Sequence, residues 1–197
     1  MKTLQLIALS FILALTVGCA SKVQYGDAQA VETVDTTFGS TDLQQIAEKM
    51  ADSLLAFPPM VQVTQKGRQV LLMDRIKNKT TEHIDTESVT DTIVNKLLRS
   101  GQYQFVDMAN IEAIRSQISY QQNGGMIDPA KAVSIGKQTG AKFMLYGNLS
   151  SITKKSDKEK DVYYKFTLKL MNLETGILEW QDEKEIRKNL SRSMFGL

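Results

Sequence analysis

Few residues of this chain could do chemistry, and their spacing does not assemble a catalytic or metal-binding set. The chain has one cysteine, Cys19, and one histidine, His83, which stands between Glu82 and Asp85. A zinc shell needs a second His or Cys ligand, and a Ser-His-Asp triad needs partners that this spacing does not supply. The phosphate-binding patterns GxxxxGK[ST] and GxGxxG and the serine-nucleophile pattern GxSxG are absent. We therefore predict no enzyme, no metal and no cofactor, with His83 an exposed loop residue.

Cys19 is the one residue whose sequence context indicates a chemical modification, because it follows an export signal. Lys2, an apolar run from Leu4 to Val17, and the small residue Gly18 precede it, which is the layout of a secretory signal. The run covers about 14 residues, whereas a membrane-spanning helix needs roughly 20. A cysteine after the small residue resembles a bacterial lipoprotein signal, which implies cleavage after residue 18 and acylation of Cys19. The alternative is an ordinary signal with an incidental cysteine; Ala20 favours the outer membrane.

Length and charge limit the remaining possibilities. The chain has 197 residues with 24 Lys and Arg against 22 Asp and Glu, a net charge of +2. This balance gives no reason to expect nucleic-acid binding. With its only cysteine acylated, the mature protein has no disulfide, so its stability must come from packing alone. Residues 19–40 are polar and without periodicity, which predicts a flexible tether that extends at most about 70–75 Å before a globular domain at residues 41–197.

Hydrophobic periodicity predicts four helices in this domain. The first begins with Thr41 and Gln44 at capping-box spacing and stops at Phe57-Pro58-Pro59. The second begins at Thr86 and ends before Gly101, with Val89, Ile93, Val94, Leu97 and Leu98 on its buried side. The other two are predicted at Met108–Gln117 and Asp128–Gly140.

Dense or alternating apolar residues predict five strands, at Gln69–Ile76, Tyr103–Asp107, Lys142–Ile152, Val162–Leu173 and Ile177–Ile186. Lys77–Thr81 is interpreted as a polar loop in which Asn78 and Thr80 bond the local backbone. In the first part of the domain helices precede parallel strands, and the last part is a meander of strands. This order predicts an α/β (α+β) fold. Its single domain contains a mixed four- to five-stranded sheet covered by about four helices.

Four segments in this order resemble the penicillin-binding protein activator LpoB family: Gln69–Thr80, Gly101–Asp107, Thr139–Gly147 and Leu170–Trp180. The resemblance implies an outer-membrane lipoprotein that faces the periplasm. It implies binding to a small regulatory domain of a bifunctional class A penicillin-binding protein, and stimulation of peptidoglycan synthesis for cell wall biogenesis and cell shape. The tether departs from this family, whose best-known members have a long Pro-rich linker.

One different class of protein remains open. A CsgG-like secretion or envelope-assembly lipoprotein would oligomerise, whereas we expect the soluble domain of an activator to be a monomer.

Basic side chains offer one candidate surface for such a partner. Lys131, Lys137 and Lys142 lie on and just past the predicted fourth helix, where an acidic partner could dock. The family resemblance implies a partner-facing surface near this helix, with Tyr120 and Gln121 of the adjoining loop as secondary contacts. The alternative is an ordinary solvated helix face.

Overall fold

The structure, a computed structural model, describes residues 22–108, 137 and 139–191. The chain divides into two units, Met1–Ala30 and Val31–Leu197. Within residues 22–30 the Ala30 N–H donates to the Asp27 carbonyl at 3.1 Å, which forms a turn. The second unit carries the helices and strands. It includes residues 31–40, which lie in the stretch predicted to be the tether.

Helix α1, Ser40–Ala56, begins one residue before the predicted Thr41. The predicted capping box of Thr41 and Gln44 is wrong, because Asp42 accepts a hydrogen bond from the Gly39 N–H at 2.8 Å. A carboxylate in the first turn also complements the helix dipole. The Thr41 hydroxyl instead accepts from the Glu32 N–H at 2.8 Å. The helical spacing of Leu43, Ile46, Ala47, Met50 and Leu54 predicts one apolar stripe. All of these residues are buried except Leu43, which is half-buried.

A second short helix, α2, follows the first without a strand between them. It spans Pro58–Thr64 and has proline at its first positions. Proline lacks the N–H that a helix interior needs, but the first turn does not use that donor. The same two prolines that end α1 therefore start α2, which the sequence analysis missed.

Helix α3, Thr86–Arg99, begins where predicted. Asp85 is its N-cap, and its carboxylate accepts from the Glu87 N–H at 3.0 Å. The buried residues are Val89, Ile93 and Leu97. Leu98, predicted to be buried, is 40% exposed. Gly101 follows the helix with φ +74°, a left-handed conformation that glycine adopts most easily.

Five strands form one mixed sheet in the order β2-β1-β3-β4-β5. Strand β1 pairs in parallel with β2 and β3, and β3, β4 and β5 form an antiparallel meander, as predicted. Their bounds are Gln69–Lys79 for β1, Tyr103–Phe105 for β2, Phe143–Lys155 for β3, Glu159–Asn172 for β4 and Leu178–Ser191 for β5. The predicted fold class is confirmed.

Four strands extend further than their hydrophobic patterns predict. Strand β1 continues through residues 77–79, which were predicted to be loop, and β5 continues five residues past the predicted end at Ile186. Both extensions are held by backbone pairing to neighbours, Lys79 opposite Ser150 and Ser191 opposite Glu159. Strand β3 likewise runs three residues past the predicted end at Ile152, to Lys155, and β4 begins at Glu159, three residues before the predicted Val162.

The main core lies between one face of the sheet and helices α1 and α3. Alternate strand residues, including Leu71, Leu145, Tyr164, Phe166 and Trp180, form one buried cluster with the stripes of α1 and α3. A smaller cluster of Leu72, Ala141, Met144 and Leu173 is separate from it. Because side chains alternate between the two faces of a strand, this second cluster lies on the opposite face of the sheet.

The predicted helices Met108–Gln117 and Asp128–Gly140 lie almost entirely outside the described residues. In the part of the chain that the structure describes, no helix is both long and apolar enough to cross a membrane.

Gly147 marks a close approach between β3 and β4. A Cβ atom there would lie 2.2 Å from the Thr167 carbonyl oxygen and 3.2 Å from Ile76 Cδ1. Since the nearest atom belongs to a backbone, the strands would have to separate, and overpacking of this kind costs about 1–3 kcal/mol. We expect Gly147→Ala to lower the free energy of unfolding by at least about 2 kcal/mol in urea denaturation.

Gly26→Ala is the matched control, because no atom lies within 4 Å of its added Cβ. Equal stability of the two variants would contradict the close approach.

Candidate functional site

The residues of the predicted partner surface fall partly within the described structure. Lys137 and Lys142 are exposed. The Lys142 N–H donates to the Val70 carbonyl at 3.2 Å, and its carbonyl accepts from the Leu173 N–H at 2.8 Å. The backbone of Lys142 is therefore fixed while its side chain faces solvent. Lys131, Tyr120, Gln121 and Cys19 lie outside the described residues, so this surface remains a prediction.

His83 is exposed in the loop between β1 and α3. Neighbouring Asp85 accepts from the Ser88 hydroxyl and the Glu87 N–H, and these bonds lower the pKa of its carboxyl group. Asp85 therefore acts as a helix cap. Across the described ranges, no group of three His, Cys, Asp or Glu side chains could hold a metal ion.

The corner after β1 is held by side chains that bond the local backbone, as predicted. Asn78 Oδ1 accepts from the Thr80 N–H at 2.9 Å and from its hydroxyl at 2.8 Å. Asn78 Nδ2 donates to the Glu82 carbonyl at 2.9 Å, and the Thr86 hydroxyl donates to the Ile76 carbonyl at 2.8 Å. These bonds fix the end of β1, which carries Lys77 and Lys79.

The sheet face opposite α1 and α3 carries charges in cross-strand rows. Lys77 lies opposite Asn148, and Lys79 lies opposite Ser150. At the other side of the sheet, Lys165 pairs with Glu183 at 2.7 Å and with Glu185 at 3.8 Å. The face is therefore basic along β1 and acidic along β5. We refer to it below as the charged face.

A cavity of about 150 Å³ opens on the basic side of this face. Its lining, which we call the basic cavity, includes Asp74, Arg75, Lys77, Lys79, Tyr146 and Lys169. Asp74 is buried and its Oδ1 accepts from the Arg75 N–H at 2.8 Å. Among the residues that the structure describes, none of the four cationic side chains has an ion-pair partner.

A larger cavity of about 330 Å³ at the β4–β5 end differs in this respect. Its Arg187 donates two hydrogen bonds to Asp161, at 3.0 and 2.6 Å. This bond lowers the pKa of Asp161 and raises that of Arg187. The charges of this cavity neutralise each other, whereas those of the basic cavity are available to an outside anion.

The sequence analysis missed the basic cavity, although a signal for it exists. Arg75, Lys77 and Lys79 alternate with uncharged residues at the two-residue period of a strand, directly after a buried apolar run. Interpreting residues 77–81 as a loop removed this periodicity. Lys169 carried no signal, because its position in the cavity follows from the pairing of Lys169 with Tyr146.

A second cluster attaches the segment before α1 to the domain. The Tyr164 hydroxyl donates to the Glu82 carboxylate and lies 3.1 Å from the Thr36 carbonyl. Glu82 also accepts from the Phe38 N–H at 2.9 Å. The Phe38 ring packs edge-on against Tyr164 with centroids 5.8 Å apart. Burial, followed by the bond to Glu82, raises the pKa of Tyr164, which keeps the hydroxyl protonated.

Lys188 fixes the same segment from β5. Its ammonium group lies 2.5 Å from Asp42 Oδ2 and 2.6 Å from the Thr37 carbonyl. The Asp42 side chain is only 2% exposed and that of Lys188 17%, so solvent screens this ion pair little. We call residues 36–39 the strap, because these bonds hold them against the domain.

The fold and this arrangement define a class of protein: a small α+β domain with helices on one sheet face, a charged opposite face and an attached N-terminal strap. Residues 42–186 match the model of the peptidoglycan-synthase activator LpoB family. Since this match covers most of the chain, the protein belongs to that family. The resemblance predicted from the sequence is confirmed, and the CsgG-like alternative is not supported.

Curated relatives of this family match over part of their length. The penicillin-binding protein activator LpoB of Dickeya dadantii is 24% identical over 119 residues, 60% of this chain and 57% of the relative. That of Escherichia coli is 24% identical over 115 residues, 56% of this chain and 48% of the relative. The matched region thus spans about half the length of these relatives.

A solved structure supports the fold. The LpoB C-terminal domain from Escherichia coli aligns with a TM-score of 0.52 and 21% identity, over 74% of this chain and 98% of that domain. The corresponding Salmonella enterica domain gives a TM-score of 0.51.

Two buried tyrosines allow a matched test of the strap. Tyr103 is fully buried, burial raises its pKa to about 12, and its hydroxyl has no hydrogen-bond partner among the described residues. Tyr164→Phe removes a satisfied hydroxyl and leaves Glu82 Oε1 without its donor, so we expect a loss of about 1–3 kcal/mol of unfolding free energy. Tyr103→Phe should be neutral or stabilising, because the lost hydroxyl is buried without a bond.

Chemical denaturation of both variants measures the change in the free energy of unfolding. In addition, amide hydrogen exchange of residues 36–39 should accelerate in Tyr164→Phe only. Equal stability losses in the two variants would contradict the assigned bonds.

Proposed function

We propose that this protein activates a bifunctional class A penicillin-binding protein by direct contact and thereby stimulates peptidoglycan synthesis. The family match over residues 42–186 carries this proposal. It is supported by the curated relatives, whose names describe penicillin-binding protein activators. The chain itself would catalyse no step. It would bind the active arrangement of the synthase better than the resting one, which shifts the population toward the active state.

The proposed location is the periplasmic side of the outer membrane, with lipid on Cys19 as the anchor. Two or more acyl chains anchor stably, because each buried methylene contributes about 0.8 kcal/mol. The strap shortens the reach of this anchor. If residues 20–35 form the tether, its maximum length is about 53–58 Å, so the regulatory domain of the synthase must extend toward the outer membrane or the periplasm must be narrow.

Metabolic labelling with a fatty acid tests the anchor. Wild-type protein should incorporate the label and remain with the outer-membrane fraction. Cys19→Ala should lose the label, because the thiol that accepts the acyl chain is gone. Label retained in Cys19→Ala would refute lipidation at this residue.

For the partner surface we propose Lys131, Lys137 and Lys142, with Tyr120 and Gln121 beside them. The exposure of Lys137 and Lys142 supports this assignment. Lysines on such a surface would guide an acidic partner and fix its orientation, since charge complementarity raises the association rate more than the affinity. We expect the soluble domain to act as a monomer in this contact.

Purified class A penicillin-binding protein, assayed for glycan polymerisation with and without this protein, tests activation. Wild-type protein should raise the rate several-fold. Lys137→Glu with Lys142→Glu should weaken binding at least tenfold, or about 1.4 kcal/mol, because it reverses the charge that meets the partner. The melting temperature should not change, since both side chains are exposed.

The matched control is Lys154→Glu with Lys155→Glu, which reverses two exposed lysines at the far end of β3. It should bind like wild type. No stimulation of any class A synthase of the same organism would overturn the proposed function. Equal weakening by both double variants would instead overturn the proposed surface.

A further inference from the structure

We propose that the basic cavity is a second contact site, which binds an extended acidic segment of the partner protein with carboxylates at alternate positions. The inference rests on the proposed function for the identity of that partner. The site differs from the Lys137 and Lys142 surface, because it lies along the second half of β1 and not at the start of β3.

Charge is the first argument for this ligand. Arg75, Lys77, Lys79 and Lys169 line a space of about 150 Å³ together with a single carboxylate, that of Asp74, so positive charge is in excess there. None of them has an ion-pair partner among the described residues. Elsewhere on the charged face, Lys165 is neutralised by Glu183 and Glu185. The cations that line the cavity are therefore available to an anionic group, whereas Lys165 on the same face is not.

Spacing is the second argument, and it specifies the form of the anion. Lys77 and Lys79 lie two residues apart on one strand, opposite Asn148 and Ser150 on the same face. Residues two apart in a strand are about 6.6 Å apart and point the same way. An extended segment with acidic residues at alternate positions has the same repeat, so two of its carboxylates can meet Lys77 and Lys79 in register.

Rigidity is the third argument. The bonds of Asn78 to Thr80 and to the Glu82 carbonyl hold the end of β1 in place. Lys77 and Lys79 therefore have a fixed backbone, and only their side-chain freedom is lost on binding. The half-buried Lys169 lies opposite Tyr146 across β3 and β4, which gives the cavity a cation that does not need to move far.

The test compares full-length wild type with Lys77→Glu combined with Lys79→Glu. Binding to the synthase should weaken at least tenfold at low ionic strength, and the difference should shrink in high salt, because screening removes the attraction. The Lys154→Glu and Lys155→Glu control should bind like wild type. Unchanged melting temperature of the variant would show that it folds.

A second arm separates this site from the proposed function. A synthetic peptide of alternating Glu and Ser is added to the wild-type protein, and its Gln-Ser analogue serves as the control. Chemical shifts of residues 75–79 should change with the Glu peptide only. Peptide binding without synthase binding would leave the site in place and overturn the proposed function. Synthase binding that Lys77→Glu with Lys79→Glu does not weaken would overturn the site and leave the function.

Purified peptidoglycan provides a third arm, because its stem peptides also carry carboxylates. We expect no sedimentation of the protein with it above that of the double variant. Sedimentation that depends on Lys77 and Lys79 would overturn a protein segment as the ligand.

Discussion

The hydroxyl group of Tyr164 is the point at which three distant parts of the chain meet. It lies between the Glu82 carboxylate and the Thr36 carbonyl, so β4, the loop after β1 and the strap share one buried polar cluster. A buried hydroxyl or carboxylate without partners would destabilise the fold. Each segment therefore satisfies the polar groups of the others. The Phe38 ring packs edge-on against the Tyr164 ring beside these bonds.

The position of the strap follows from this cluster, and so does the geometry of the charged face. Glu82 binds the strap through its side chain and binds Asn78 through its carbonyl. Asn78 belongs to the strand segment that carries Lys77 and Lys79. The loop thus connects the strap, which packs on the helix side of the sheet with the main core, to the basic cavity on the opposite face. The strap therefore lies on the face of the sheet opposite the basic cavity.

Local patterns predicted the elements whose burial is regular. The stripe of α3 and the glycine after it could be placed from the sequence, because the helix buries one continuous side. Tyr164 was placed correctly on the buried side of its strand, but its bond to Glu82 joins residues 82 positions apart. A local sequence pattern cannot predict a contact between residues so far apart in the chain. The start of α1 was misplaced for a similar reason, since Asp42 serves both as a cap and as the partner of Lys188.

The ends of β1 and β5 show why the polar end of a strand is difficult to predict from the sequence. Their last residues are exposed and mostly polar. Hydrogen bonds to β3 and β4, and not apolar burial, hold these residues extended. Strands of this kind have no hydrophobic period to detect, yet they fix charged side chains at a strict repeat.

Because of that repeat, positive charge lies along one side of the charged face and negative charge along the other. Cations without partners lie along β1, while the acidic residues of β5 are already neutralised in part by Lys165. A partner with acidic groups on one side only would be attracted in one orientation and repelled in the reverse one. The electrostatic pattern of the sheet therefore favours a defined orientation of the partner, which a uniformly basic surface could not do.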